Sequence, residues 1–215
     1  MLRRQHLADF GVDEIDRLHG PDGLDIGSRT PTESAGSADD HAVNDDPSGL
    51  IRTSYTDRSQ TPVQAALNPD DVGRVVLDPP YRGGLTELDG FDYAWLLSWP
   101  APDPNDAVPV SMRQTPFLLS SRPRPIGLFA MRGPRRPNPI GLHLVHLVDL
   151  HDDGFTFAGV DMVDQTPLLD VKPWAARLDL PHGHTLDRAV RSGWFDTVDL
   201  SGAHTPESLR ANGTP

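Results

Sequence analysis

From Leu50 onward, short apolar runs alternate with proline and glycine clusters, and this texture continues to about residue 172. Strands are predicted over 50–55, 72–78, 91–99, 126–131, 140–150, 155–163 and 167–172. Asp152-Asp153-Gly154 separates two of these runs as a hairpin turn does. On the second run Phe155 and Phe157 alternate with Thr156 and Ala158, and the phase slips past Gly159 to Val160 and Met162, where a bulge fits. Ile140–Leu150 fits a helix by pattern alone, but Pro137 and Pro139 before it and the turn after it favour a strand. Before Leu50 the texture differs. Residues 7–19 read as a short helix with Phe10, Ile15 and Leu18 on one face, and Ser28–Ser48 reads as a linker of small and polar residues. Thr185–Gly193 reads as a short capped helix. Many short strands and few helices predict an all-β, β-rich, single barrel-like domain with a few short helices. The expected boundaries are 1–47 for an N-terminal segment with a disordered linker, 48–200 for the domain and 201–215 for a flexible tail.

Composition narrows the chemistry. The 215 residues contain no cysteine, which removes disulfides, thiolate metal sites and thiol catalysis. No apolar run is long enough for a membrane-spanning helix, and the N-terminus lacks the apolar core of a signal peptide, so a soluble, cytoplasmic protein is expected. The net charge of −12 argues against broad non-specific nucleic-acid binding. Its distribution matters more. No acid lies between Asp106 and Asp149, while Arg113, Arg122, Arg124, Arg132, Arg135 and Arg136 all do. These guanidinium groups can form a local anion site or simply a solvated charged face.

Arg135-Arg136-Pro137-Asn138-Pro139-Ile140-Gly141 is the most unusual stretch. Two prolines fix φ on either side of Asn138 and push it towards extended geometry. Neither proline donates a backbone hydrogen bond, so nearby carbonyls are left as acceptors. Such a segment suits either a polar ligand or a stiff strand entry. The longer stretch Gly127-Leu-Phe-Ala-Met-Arg-Gly-Pro-Arg-Arg-Pro-Asn-Pro-Ile-Gly-Leu142 resembles the signature of the TsaA-like, or TrmO, family. A second signature follows at Asp161-Met-Val-Asp-Gln-Thr-Pro-Leu-Leu-Asp-Val-Lys-Pro-Trp174. Leu50-Ile-Arg-Thr-Ser-Tyr55 and Leu88-Asp-Gly-Phe-Asp-Tyr-Ala-Trp-Leu-Leu97 look like its first and central strands. The resemblance covers about residues 48–180.

The resemblance implies a β-barrel-like S-adenosylmethionine-dependent methyltransferase, usually a homodimer, that methylates N6 of threonylcarbamoyladenosine beside the tRNA anticodon. By it, Gln64, Tyr93, Arg132, Leu142 and Asp161 are expected to bind the cofactor. Asn138 and Asp164 are expected as catalytic acceptors for the amine, and Arg135, Arg136 and Lys172 as tRNA contacts. Physical chemistry is consistent with these roles: an Arg fork clamps a carboxylate or phosphate, a carboxylate accepts from ribose hydroxyls, and Tyr93, Trp95 or Trp174 can face a sulfonium. The chain departs from the family at four places. Pro62-Val63-Gln64 lacks the Arg of the P-R-Q motif, Asp92-Tyr93 replaces its S-H pair, Gln165 replaces the Gly of D-G-T-P, and the basic R-P-P-R-L-G-G loop is shortened to Ser121-Arg-Pro-Arg-Pro-Ile126.

Other signals compete. Asp78-Pro79-Pro80-Tyr81 spells the DPPY of amino-methyltransferases with a Rossmann-like fold, but no glycine-rich cofactor loop accompanies it, so it reads as a turn. Leu18–Pro31 resembles the closing segment of XdhC-type accessory proteins for molybdenum hydroxylases. The alternatives are therefore a degenerate cofactor-binding or accessory protein, or a methyltransferase acting on another RNA or a small amine. His143 and His146 fall on opposite faces of their strand; no ligand set accompanies them, no metal is expected, and they read as structural or solvent-facing.

Overall fold

The computed structural model describes residues 46–101, 109–120, 122–180, 192–198 and 205–211. The expected helix at 7–19, the linker up to residue 45 and the XdhC-like stretch lie outside these residues, as does the expected helix at 185–193 up to residue 191. At the linker's expected end, the Ser48 N–H already donates to the Leu168 carbonyl at 2.7 Å.

Among the described residues there are eight strands: β1 (Gly49–Arg52), β2 (Val72–Leu77), β3 (Tyr93–Ser98), β4 (Arg113–Gln114), β5 (Ile126–Gly127), β6 (Gly141–His151), β7 (Gly154–Ala158) and β8 (Thr166–Pro173). Six of them close a barrel in the order β1-β2-β7-β6-β3-β8, and each neighbouring pair is antiparallel. Closure satisfies the backbone of every barrel strand and leaves no edge for another chain to extend. Alternation fills the interior. Ile51, Val75, Leu77, Ala94, Leu96, Val145, Leu147, Phe155, Phe157 and Leu168 point inward and are buried. Phe155 and Phe157 meet edge to face across 6.5 Å. Gly73 leaves room for this pair, since a Cβ there would stand 2.4 Å from the Phe157 ring.

The hairpin is where the sequence places it: His151 pairs with Gly154 across Asp152-Asp153. The bulge is not. β7 ends at Ala158, and Gly159 turns the chain at φ +92°. The irregularity in the ladder lies on the opposite strand, between Leu147 and Asp149. There one extra residue, Val148, reverses the side-chain phase, so that Leu147 and Leu150 both pack on the core. The strand expected over 126–131 is only two residues long and passes into a 3-10 turn, Leu128–Ala130. Asp78-Pro79-Pro80-Tyr81 opens another 3-10 turn, Pro79–Leu85, in which the Tyr81 N–H donates to the Asp78 carbonyl at 3.0 Å.

The small β4–β5 sheet belongs to an arm between β3 and β6. Leu119, Ile126 and Met131 form a second apolar cluster there, covered by Trp194 and Val198. A short helix, Pro206–Ala211, falls in the segment expected as a tail; its Leu209 is buried, and Ser120 donates to the Leu209 carbonyl at 2.9 Å. No helix among the described residues is long and apolar enough to cross a membrane.

Candidate functional site

The two signature segments become β6 with its lead-in and β8 with the loop before it. They meet at one end of the barrel, where β3 finishes and β6 begins. The β7–β8 loop reaches this corner through Asp161. One Asp161 oxygen, Oδ1, lies 2.6 Å from His143 Nδ1, and the other, Oδ2, accepts the Ala65 N–H at 3.0 Å. On its far side, His143 Nε2 lies 2.8 Å from Ser98 Oγ. An ionised carboxylate only accepts, so Nδ1 carries the proton, and Nε2 accepts from the Ser98 hydroxyl. The chain Ala65–Asp161–His143–Ser98 thus ties together a turn, a loop and two strands. Gly141, the last residue of the proline motif, is required beside it: a Cβ there would lie 2.2 Å from Ser98 Oγ and 2.5 Å from His143 Nε2.

Asp164 sits three residues further along the same loop. Its Oδ1 accepts from Arg52 Nε at 2.9 Å and from the Thr53 N–H at 3.0 Å. Burial works to raise its pKa, but the Arg52 hydrogen bond and charge, with the Thr53 and Gln165 amides, outweigh this and hold it below the ordinary carboxylate range. Thr53 Oγ1 also donates to the Met162 carbonyl, and the Asp164 N–H to the Tyr55 carbonyl. The loop is therefore stitched to the exit of β1. A second knot lies behind it, where Tyr55 donates its hydroxyl proton to Asp71 and Asn68 bridges Asp71 to the Val160 carbonyl.

Of the expected cofactor residues, Gln64 and Leu142 adjoin this corner beside Asp161. Gln64 precedes the Ala65–Leu67 turn, with its amide folded onto the Val63 carbonyl at 2.6 Å. Leu142 neighbours His143 but faces outward and is half exposed. Arg132 lies on the lead-in to β6, exposed and without a hydrogen bond or ion pair among the described residues.

Other residues behave differently. Tyr93 is at the opposite end of β3 from Ser98. It pairs with His146, four residues beyond Leu142, or about 13 Å along the strand. There it joins an outer aromatic cluster, 5.1 Å from His146 and 5.9 Å from Trp174. Arg136 is turned onto its own loop, donating to the Gly133 and Met131 carbonyls, which leaves less of its fork for a substrate. Lys172 is exposed and paired with Asp170 at 2.7 Å. The Asn138 stretch bends rather than running extended, because the Ile140 N–H closes a three-residue turn onto the Asn138 carbonyl. The Arg135 carbonyl accepts from Gln114. Two of the carbonyls expected as free acceptors are therefore in use.

His143 and His146 do face opposite sides, inward and outward, as alternation requires. A structural histidine fits this position, but its two partners, Ser98 and Asp161, were missed. A signal for them existed: Gly141, His143, Val145 and Leu147 share the inward phase, and a polar ring among apolar neighbours needs partners.

Comparisons with known proteins match these segments. Residues 50–180 match the model of the tRNA-methyltransferase O N-terminal domain. The chain is 29% identical over 167 residues to a "Probable S-adenosyl-L-methionine-binding protein" of Pyrococcus abyssi, covering 78% of this chain and 82% of that one. It is 31% identical over 150 residues to the tRNA (adenine(37)-N6)-methyltransferase of Escherichia coli, covering 67% of this chain and 60% of that enzyme. A crystal structure of TrmO from Pseudomonas aeruginosa aligns with a TM-score of 0.50 at 28% identity, over 70% of this chain and 63% of that one. The chain thus spans about three fifths of the length of the named methyltransferases. With the family match running through both signature segments, the chain belongs to the tRNA-methyltransferase O N-terminal domain family.

Proposed function

We propose that this barrel is an S-adenosyl-L-methionine-dependent methyltransferase acting on N6 of threonylcarbamoyladenosine beside the tRNA anticodon. The observation that carries the reading is the family match over residues 50–180, which includes the corner built by Gln64, Leu142 and Asp161. The chemistry of the residues present fits the donor. Asp161 retains acceptor capacity on each oxygen beyond its hydrogen bonds to His143 and Ala65, which suits ribose hydroxyls. The Arg132 guanidinium has no hydrogen bond or ion pair among the described residues and suits the carboxylate of the methionine moiety. When bound, S-adenosyl-L-methionine supplies an electrophilic methyl group on a sulfonium.

The chain's own part is to orient the amine and accept its proton. Asn138, exposed at the motif's bend, offers an amide oxygen to the amine; Asp164 is held ionised by Arg52 and Thr53 and serves as the second acceptor. Arg135 and Lys172 contact the RNA, whereas Arg136 shapes the loop. Tyr93 belongs to the outer aromatic cluster and is left out of the donor's site within one chain. A homodimer is part of this reading. Ile140, Leu142, Leu144 and Val148 expose apolar surface along the outside of β6 and its approach. The protein would work in the cytoplasm, with its tRNA.

One departure favours a second reading, a cofactor-binding relative inactive on tRNA: Val63 stands where the family's P-R-Q motif has Arg. Labelled methyl transfer to tRNA, followed by nucleoside mass spectrometry, separates the two. Methylated threonylcarbamoyladenosine, lost on Arg132→Ala, is the expected result. Tight donor binding with no RNA product would establish the second reading instead.

A further inference from the structure

On the donor-binding reading Asp161 accepts from the donor's ribose, and His143 Nδ1 lies 2.6 Å from its Oδ1. We propose that His143 is a positioning residue, holding the Asp161 carboxylate in register for the ribose of the methyl donor. The inference rests on the donor-binding reading above.

Three observations support a role beyond filling the barrel. The next inward side chains on β6 are Val145 and Leu147, so an apolar residue at 143 would simply extend the core. A histidine there must be desolvated and satisfied, which an apolar packing residue need not be. It is satisfied on both nitrogens, by Asp161 and by a fully buried Ser98. Second, the arrangement needs the absence of a side chain at Gly141, where a Cβ would strike both Ser98 Oγ and His143 Nε2. Third, the ends of the chain of hydrogen bonds are unequal in access. Ser98 is sealed, whereas His143 and Asp161 keep 12% and 9% side-chain exposure. The open edge therefore belongs to the Asp161–His143 end.

The direction of the chain follows from this. Ser98 fixes the far nitrogen, the ring transmits that constraint, and Nδ1–H holds Asp161 Oδ1 while the Ala65 amide holds Oδ2. Both in-plane rotations of the carboxylate are thereby blocked. Because Ala65 adjoins Gln64, the same carboxylate also ties the Gln64 turn to the corner.

The test is calorimetric binding of S-adenosyl-L-methionine to the full chain, with steady-state methyl transfer to tRNA and thermal melts on the same samples. Expected is a rise of about tenfold or more in donor Kd and KM for His143→Leu, the loss of a hydrogen bond to a partly buried charge, with kcat largely recovered at saturating donor. His143→Asn should recover most of the affinity, since its amide nitrogen donates near the place of Nδ1. Ser98→Ala should have a smaller effect. If His143→Leu does not fold, His143→Phe keeps a ring without nitrogens and gives the same comparison. Unchanged donor affinity in the leucine or phenylalanine variant overturns the inference, as does an asparagine variant no better than they are. Absence of donor binding to the unmutated chain overturns the donor-binding reading itself and, with it, this inference.

Discussion

Gln165 holds φ at +63° in the loop that carries Asp161 and Asp164. A side chain in that region costs roughly 1–2 kcal/mol, and glycine avoids the cost. Glycine also gives back about 0.5–1 kcal/mol through its freer unfolded state. Gln165→Gly is thus expected to stabilise the protein by up to about 1 kcal/mol, read as a higher urea midpoint at unchanged m. A lower midpoint would mean that the exposed Gln165 side chain makes contacts worth more than the strain. This strain was legible before the fold, because the family motif places Gly at the position. Ser98 and His143 were not legible in the same way. They are separated by 45 positions, and His143 and Asp161 by 18, so no local pattern pairs them.

At the scale of the element, β6 does two jobs, and its phase separates them. Odd residues from Gly141 to Leu147 face the barrel, while Leu142, Leu144, His146 and Val148 face out. Leu144 and Val148 are 36% and 53% exposed, an apolar pair on one strand that a subunit contact would cover. Leu144→Glu with Val148→Glu is expected to convert a dimer to a monomer in light scattering while leaving the thermal midpoint of the barrel near that of the parent. A parent chain already monomeric at micromolar concentration would remove the dimer from the proposed function. The strand itself was readable from its flanking prolines and hairpin. Its bulge was not: a slip was expected beyond Gly159, whereas Val148 on the partner strand provides it, because register is a property of two strands and not one.

For the whole molecule, closure of the barrel brings several carboxylates against fixed donors. Hydrogen bonds from Tyr55 and Asn68 hold Asp71 below the ordinary range, and Asp164 is held low by Arg52 and backbone amides against the opposing effect of burial. A carboxylate with a lowered folded pKa contributes stability that is present above its unfolded value, near 4, and lost as pH falls through the folded value. Thermal midpoints should therefore drop steeply below about pH 4, and Asp71→Asn should shallow the drop while lowering the midpoint at neutral pH. An equally steep acid dependence in that variant would place its origin elsewhere.

What consecutive residues can encode was settled by them: alternating side chains, the Asp152-Asp153-Gly154 turn, the stiff Pro137–Pro139 entry and the two signatures that imply the family. These depend on neighbours a few bonds apart, and chain connectivity guarantees such neighbours in any fold. The tertiary structure decided the insertion of β3 between β6 and β8, the packing of Tyr93 against His146 and Trp174 at the far end of β3 from Ser98, and the Ser98–His143–Asp161 chain. Each of these requires atoms from distant segments to come within hydrogen-bonding or packing distance, and only closure of the barrel chooses which ones do.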